Sequence, residues 1–360
     1  MDTSYREGFF LHKFMKKHDI SLRYIDQLAL FKMRGVDGIS LSEINLFVVE
    51  PTMKSVGIIK DFENVTKNYN LKNYANPYFD SSEGKYKNLS FDKLVARYYR
   101  DKHLKQAVLH AIEDIETTLN TKIASVLGER YGAYGYTDFR LWCQRNSVNK
   151  FLRGKYMDKF AIQKEQINFL KELQNIVRKS YSKDLQDYIK NTEKIYPPIW
   201  LVMNELTLGT SIHLYKLMSK SNQRRISSYF GCKTDELVSW LESINLIRNI
   251  CCHNGILADF KLKTRAKVPK EYKSSSELKT VLLKIKPEVY TNRLAFQLCI
   301  IVKLMSKINN NYTYRDLRNS VKKLLDESTP ATYYGFQNQE AIQKLFKVKI
   351  LKDNSSLILY

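Results

Sequence analysis

From Phe91 onward, apolar side chains recur at three- and four-residue steps: Leu104, Val108, Ala111, Ile112, Ile115, Leu119, Ile123 and Leu127. That period places all of them on one side of an α-helix and persists until Gly132 and Gly135 break it. So long an apolar stripe has to be covered by other elements, so it predicts a central core helix. A second stripe, Ile199, Val202, Met203, Leu206, Ile212, Leu214 and Leu217, follows Pro197 and Pro198. Proline suits a helix's first turn, where its missing donor costs nothing, and the pattern predicts one continuous helix. Gly209 inside it costs about 1 kcal/mol relative to alanine, which points to a close helix contact there.

Helical period dominates nearly everywhere else, so the expected fold class is all-α. Ile25, Leu28, Ala29 and Phe31 form a short amphipathic stretch that Gly35 ends, and Leu46, Phe47 and Val48 open a region of shorter elements reaching Pro77. Between Arg140 and Lys194 the chain is polar and lysine-rich, with a helical signal at Phe169, Leu170 and Leu173 that reads as an insertion. Lys261 to Lys286 is strongly basic, contains Pro269 and Ser274 to Ser276, and predicts a mobile loop. Helices are expected over residues 292–307 and 314–325. The expected organisation is an N-terminal helical region over 1–90 and a helical core built from 91–140 and 195–258. A charged helical insertion over 141–194 joins them, and a basic loop with C-terminal helices over 259–360 packs on the core.

Near the end of a further predicted helix stands Arg248-Asn249-Ile250-Cys251-Cys252-His253. Thr234, Asp235 and Glu236 read as its cap and acidic first turn, and Gly255 as its stop. Leu237, Ile244, Ile247 and Cys251 share one side, while Glu242, Asn245, Asn249 and Cys252 project into the arc bounded by Arg248 and His253. Residues five apart differ by about 140° in direction, so Arg248 and His253 flank a single face with Asn249 between them. These side chains suffice to cut RNA without a metal. Histidine can move the 2′-hydroxyl proton, the amide can hydrogen-bond the scissile group, and the guanidinium can hold the phosphate as charge builds on it.

Lysine and arginine number 59 against 37 acids, a net charge of +22 in 360 residues. That excess implies a polyanionic partner, either a nucleic-acid backbone or an anionic membrane surface. Lys261, Lys263, Arg265, Lys267 and Lys270 form a candidate RNA backbone track. The five cysteines show neither a CxxC pair nor a ligand spacing, which argues against disulfides and zinc. No leader-like start and no apolar run of about 18 residues is present, so a cytoplasmic protein that neither crosses nor enters a membrane is expected, with no cofactor. Cys251, Cys252 and Trp240 read as core or interface residues, and His103, His110 and His213 as structural.

Residues spread from Asp26 to Phe346 carry a family resemblance. They include Gln27 to Gly35, Ala111-Ile112-Glu113-Asp114-Ile115-Glu116, Glu129-Arg130-Tyr131-Gly132, Pro198-Ile199-Trp200 and Glu205 to Thr210. Trp240 to His253, Asn292-Arg293-Leu294 and Tyr334-Gly335-Phe336 complete the series. In order and spacing the chain resembles the AbiD/AbiF-type abortive infection proteins, built around a HEPN domain with an RX4-6H ribonuclease motif. It departs from them at Asn254-Gly255-Ile256, where a histidine or serine followed by arginine is usual.

The resemblance implies a HEPN-type helical bundle and a metal-independent endoribonuclease toxin of phage defence. In such enzymes two HEPN units face each other, usually in a homodimer, and some members pair with a small noncoding RNA. It also implies Arg248, Asn249 and His253 as the catalytic set, with Glu116 and Glu205 as carboxylates able to orient an arginine. Two alternatives remain open: an RNA-binding HEPN protein without turnover, and a DNA-binding regulator, for which no basic recognition helix is evident.

Overall fold

The computed structural model describes residues 30–39, 70–263 and 266–347. The long apolar stripe forms a single helix of 41 residues, Phe91–Tyr131, about 60 Å long at 1.5 Å per residue. Gly132, at φ +77°, ends it. In chain order the helices are α1 (Asn70–Ala75), α2 (Phe91–Tyr131), α3 (Phe139–Trp142), α4 (Lys159–Lys179), α5 (Lys183–Lys190), α6 (Ile199–Val202) and α7 (Leu208–Leu217). They continue with α8 (Lys220–Tyr229), α9 (Thr234–Cys252), α10 (Glu271–Ser274), α11 (Leu294–Ile308), α12 (Arg315–Lys323) and α13 (Gln339–Lys347). Three two-stranded antiparallel hairpins, β1–β2 (Phe79–Asp80, Lys85–Tyr86), β3–β4 (Val148–Asn149, Lys155–Tyr156) and β5–β6 (Lys284–Lys286, Val289–Tyr290), are the only sheets among the described residues. The fold is all-α.

Two compact units divide the chain: one runs to Leu104 and includes Ser320–Tyr333, and the other takes Lys105–Asn319 and the residues from Tyr334 on. In the first, Leu71, Tyr74, Tyr78, Tyr86, Leu94 and Tyr98 are buried together. Tyr74 packs edge-on against Tyr98 and donates to Asp101 across 2.7 Å. Gly35 ends a short helical turn at φ +83°, as its position predicts. Ile25, Leu28 and Ala29 of that stretch, and Leu46, Phe47 and Val48, lie outside the described residues.

The second unit is built on the rest of α2, whose Val108, Ala111, Ile112, Ile115, Leu119 and Ile123 are at most 1% exposed. Helix α9 packs against α7, α8 and α11. Within residues 141–194, Trp142, Met157, Ile162, Phe169, Leu173 and Leu185 are buried, with Trp142 and Phe169 packed on the preceding Phe139. The segment is stitched to the end of α7 by bonds from Gln144 N to Leu217 O and from Asn149 Nδ2 to Lys216 O.

Two expectations are corrected. The helix read over 199–217 is broken: α6 passes into a 3₁₀ turn, Leu206 is extended, and Thr207 caps a new helix by accepting the Thr210 amide. Apolar period alone cannot register such a break, because Met203, Leu206 and Leu208 stay buried on both sides of it. The stretch 261–286 is also not a loose loop. Trp240 Nε1 donates to Lys267 O, Ser239 Oγ accepts Lys267 N, and Asn292 exchanges two hydrogen bonds with Leu262. Lys267 pairs with Asp235, while Tyr272 and Leu278 are buried.

Candidate functional site

Helix α9 begins one residue earlier than Thr234 suggests. Lys233 is its cap, and the Glu236 carboxylate accepts the Lys233 amide at 2.8 Å. Trp240, Leu241, Ile244 and Ile247 anchor one side of the helix in the core. That anchoring fixes the rotation of the opposite side, which presents Arg248 and Asn249 half-buried and Cys252 and His253 exposed.

Regular helix stops at Cys252, so His253 is the capping residue rather than a member of the last turn. Its amide still bonds Asn249 O at 2.9 Å, which keeps Asn249 and His253 one turn apart on the same face. Asn254, not Gly255, takes the left-handed position, at φ 58°. Asparagine tolerates that conformation better than most residues. Gly255 then returns its amide to Ile250 O at 2.8 Å, closing a Schellman turn. It must be glycine for a different reason from the one its position suggested: a Cβ there would lie 2.9 Å from Ile250 Cγ2. The Lys105 ammonium, buried on α2, donates to Gly255 O at 3.0 Å and so fastens the turn that follows His253.

Glu116 lies within electrostatic range of Arg248. It is half-buried on α2, accepts the Leu208 amide at the start of α7, and feels the Arg248 charge. Burial raises its carboxyl above the ordinary carboxylate range, while Arg248 and the Leu208 amide pull the other way. Helix α7 meets α9 at Gly209, but the approach does not require glycine: a Cβ there would lie 3.5 Å from Asn245 Nδ2, an ordinary contact. Glu205 is half-buried in the 3₁₀ turn Met203–Glu205 and has no hydrogen bond or ion pair among the described residues.

The side chains of Arg248, Asn249 and His253 likewise carry no hydrogen bond or ion pair among the described residues. One helix end therefore offers a cation, an amide and an imidazole to an incoming group, with the Glu116 carboxylate within electrostatic range of the cation. Lys261, Lys263 and Lys270 are exposed, Lys267 is committed to Asp235, and Arg265 lies outside the described residues.

Two other histidines have partners away from this helix end. His213 pairs with Glu165 at 2.9 Å, and His110 meets the Tyr312 hydroxyl at 3.0 Å. Cys251 is buried, Trp240 is core, and none of the five cysteines forms a disulfide. No group of three His, Cys, Asp or Glu stands close enough to share a metal ion among the described residues, and no described helix is long and apolar enough to cross a membrane.

Sequence reasoning missed Lys105 and the Leu208 amide. A signal for the first was available, since Lys105 lies three residues before Val108 and seven before Ile112, on the apolar stripe itself. A lysine there needs a buried acceptor.

The family described as Abi-like protein matches residues 64–259, a span that contains Glu116, Glu205 and the whole of Arg248 to His253. No curated protein and no solved structure matches the chain.

Proposed function

The chain belongs to the Abi-like protein family, which places it in abortive-infection phage defence, and on that premise we propose that it is a metal-independent endoribonuclease toxin of the AbiD/AbiF type with a HEPN active site. The observation that carries this reading is the free polar end of α9. Arg248, Asn249 and His253 are held in fixed register by the Schellman turn and the Lys105 bond, and their side chains make no hydrogen bond or ion pair among the described residues.

In the proposed reaction His253 takes the proton of a ribose 2′-hydroxyl, whose oxygen attacks the adjacent phosphorus. The bond to the 5′-oxygen breaks, that oxygen is protonated, and the products are a 2′,3′-cyclic phosphate and a 5′-hydroxyl. Arg248 stabilises the charge that accumulates on the phosphorane, and Asn249 orients phosphate and imidazole. Glu116 positions Arg248. The proton donor to the leaving oxygen would be the second histidine of a homodimer, which brings two α9 ends together, and the open setting of this end suits such a half-site.

The net charge of +22 supports an RNA substrate and a small noncoding RNA partner, with the exposed Lys261, Lys263 and Lys270 available to phosphates. A cytoplasmic location accords with that partner.

The test is incubation of the purified protein with total RNA in EDTA. Fragments ending in 2′,3′-cyclic phosphate should accumulate, and His253→Ala and Arg248→Ala should abolish them. Cleavage unchanged by both substitutions rejects the assignment. Salt-sensitive RNA binding without any cleavage would leave the protein as an RNA-binding member of its family.

A further inference from the structure

A cavity of about 610 Å³ opens at the start of α9, the end opposite to His253, where β3–β4, α8 and α9 meet. Its volume falls in the range of small-molecule sites. Four cations line it, Lys150, Lys220, Arg224 and Lys233, against one carboxylate, Asp235. Asp235 is already paired with Lys267, and none of the four cations has a carboxylate within ion-pair distance among the described residues. Four like charges around one opening repel each other, and an anionic occupant relieves that repulsion.

The rest of the lining suits a phosphorylated ligand. Gln223 and Ser227 are buried in its wall and donate to backbone carbonyls, Gln223 to Tyr215 O and Lys216 O and Ser227 to Arg224 O, which fixes the wall beneath Lys220 and Arg224. Burial pushes the Cys232 thiol up to about 12, so it faces the cavity as a neutral group that does not oppose an anion. Thr234 opens α9 there, and first-turn amides of a 19-residue helix add partial positive charge. Phe151 supplies an aromatic ring with the Lys150 ammonium 5.0 Å from its centroid. A nucleobase stacked in that place would free Lys150 to turn to the phosphates. A second cavity of about 380 Å³ shares Ser228, Cys232 and Lys233 with the first, but Glu236 and Glu271 line it beside Lys270 and Lys303, so the excess of cations is confined to the first.

We propose that this cavity binds a nucleoside phosphate, its phosphates held by Lys220, Arg224 and Lys233 and its base against Phe151. The ligand is either a free nucleotide or a nucleotide of an RNA strand, because both present the same phosphate and ring. The site stands independently of chemistry at His253.

The experiment is calorimetric titration of the full-length protein, without metal and at near-physiological salt, with ATP, adenosine and inorganic tripolyphosphate. ATP should bind, and adenosine should bind at least about tenfold more weakly. The double substitution Lys220→Ala/Arg224→Ala should weaken ATP binding about tenfold or more, and the milder Arg224→Gln should weaken it by less. Phe151→Ala should weaken ATP and leave tripolyphosphate unaffected. Lys164→Ala, an exposed lysine outside the cavity, should leave ATP affinity at its wild-type value. Absence of ATP binding, ATP affinity untouched by the cavity substitutions, or equal weakening by Lys164→Ala overturns the proposal. A 5′-phosphorylated octaribonucleotide that displaces ATP assigns the site to a strand, and one that leaves ATP bound assigns it to the free nucleotide.

Discussion

The Lys105 ammonium donates a 3.0 Å hydrogen bond to the Gly255 carbonyl, joining positions 150 residues apart. It thereby ties the long helix α2 to the turn immediately after His253. Lys105 is only 5% exposed, so its charge is largely withdrawn from water and depends on acceptors of this kind. Lys105→Met keeps most of the side-chain volume and removes the bond. Urea unfolding should show a loss of about 1–3 kcal/mol, the range for a buried polar group left unpaired. RNA cleavage should fall as well, and a variant of wild-type stability and activity would show that the turn holds without this clamp.

Glu116 predicts a pH dependence. An acid whose folded-state pKa is raised binds its proton more tightly folded than unfolded, so its contribution to stability is present at low pH and is lost as pH rises through the raised value. Burial raises the Glu116 carboxyl in this way. Wild-type stability, followed by urea unfolding across a pH series, should decline through a window just above the ordinary glutamate range, and Glu116→Gln should lack that step. Cleavage by Glu116→Gln should also drop, because Arg248 loses the charge that orients it. Superimposable pH profiles for the two proteins would refute the assignment.

Two glycines separate opposite expectations. At Gly209 an added Cβ meets Asn245 at 3.5 Å, an ordinary contact. Gly209→Ala should therefore be tolerated and should raise stability by up to about 1 kcal/mol through helix propensity. Gly335 stands at φ +88°, and a Cβ would lie 2.4 Å from Thr291 Oγ1. Gly335→Ala should lower the unfolding free energy by about 2 kcal/mol or more, since both the backbone conformation and the neighbour oppose it. Thermal melts of the two variants should move in opposite directions.

At the proposed catalytic centre, charge and shape can be separated. Arg248→Lys keeps a cation but loses the planar fork that grips a phosphate, so cleavage should fall about tenfold or more. His253→Ala should cost about 10²–10⁴ in rate, the usual contribution of a positioned proton carrier. Filter binding should find RNA affinity in His253→Ala within a few-fold of wild type. Loss of binding in parallel with cleavage would instead mark His253 as a contact residue.

Much of this was legible in the sequence because burial and period coincide. The stripe from Leu104 to Leu127 became α2, Gly132 ended it, and Arg248, Asn249 and His253 arrived on one helix end. The break at Leu206–Thr207 was not legible, since both sides of it are apolar and only the Thr207 cap separates them. At the end of α9 the residue types were read correctly but their jobs were exchanged, with Asn254 adopting the left-handed turn and Gly255 providing clearance for Ile250. The basic stretch looked loose because lysine, serine and proline weaken helical period. Its order comes from distant partners, Trp240 and Asn292, which lie 27 and 30 residues from the atoms they hold.

That lacing has a thermodynamic sequel. A disordered basic tail gives up conformational freedom each time a polyanion settles on it, which weakens each encounter. Here Leu262 and Lys267 are fastened to the helical body when the chain folds. The backbone beneath the exposed Lys261 and Lys263 is therefore set before any ligand arrives. On the proposed reading of these lysines as an RNA track, such a surface would select by the geometry of the phosphates, where a floppy one would weigh only their total charge.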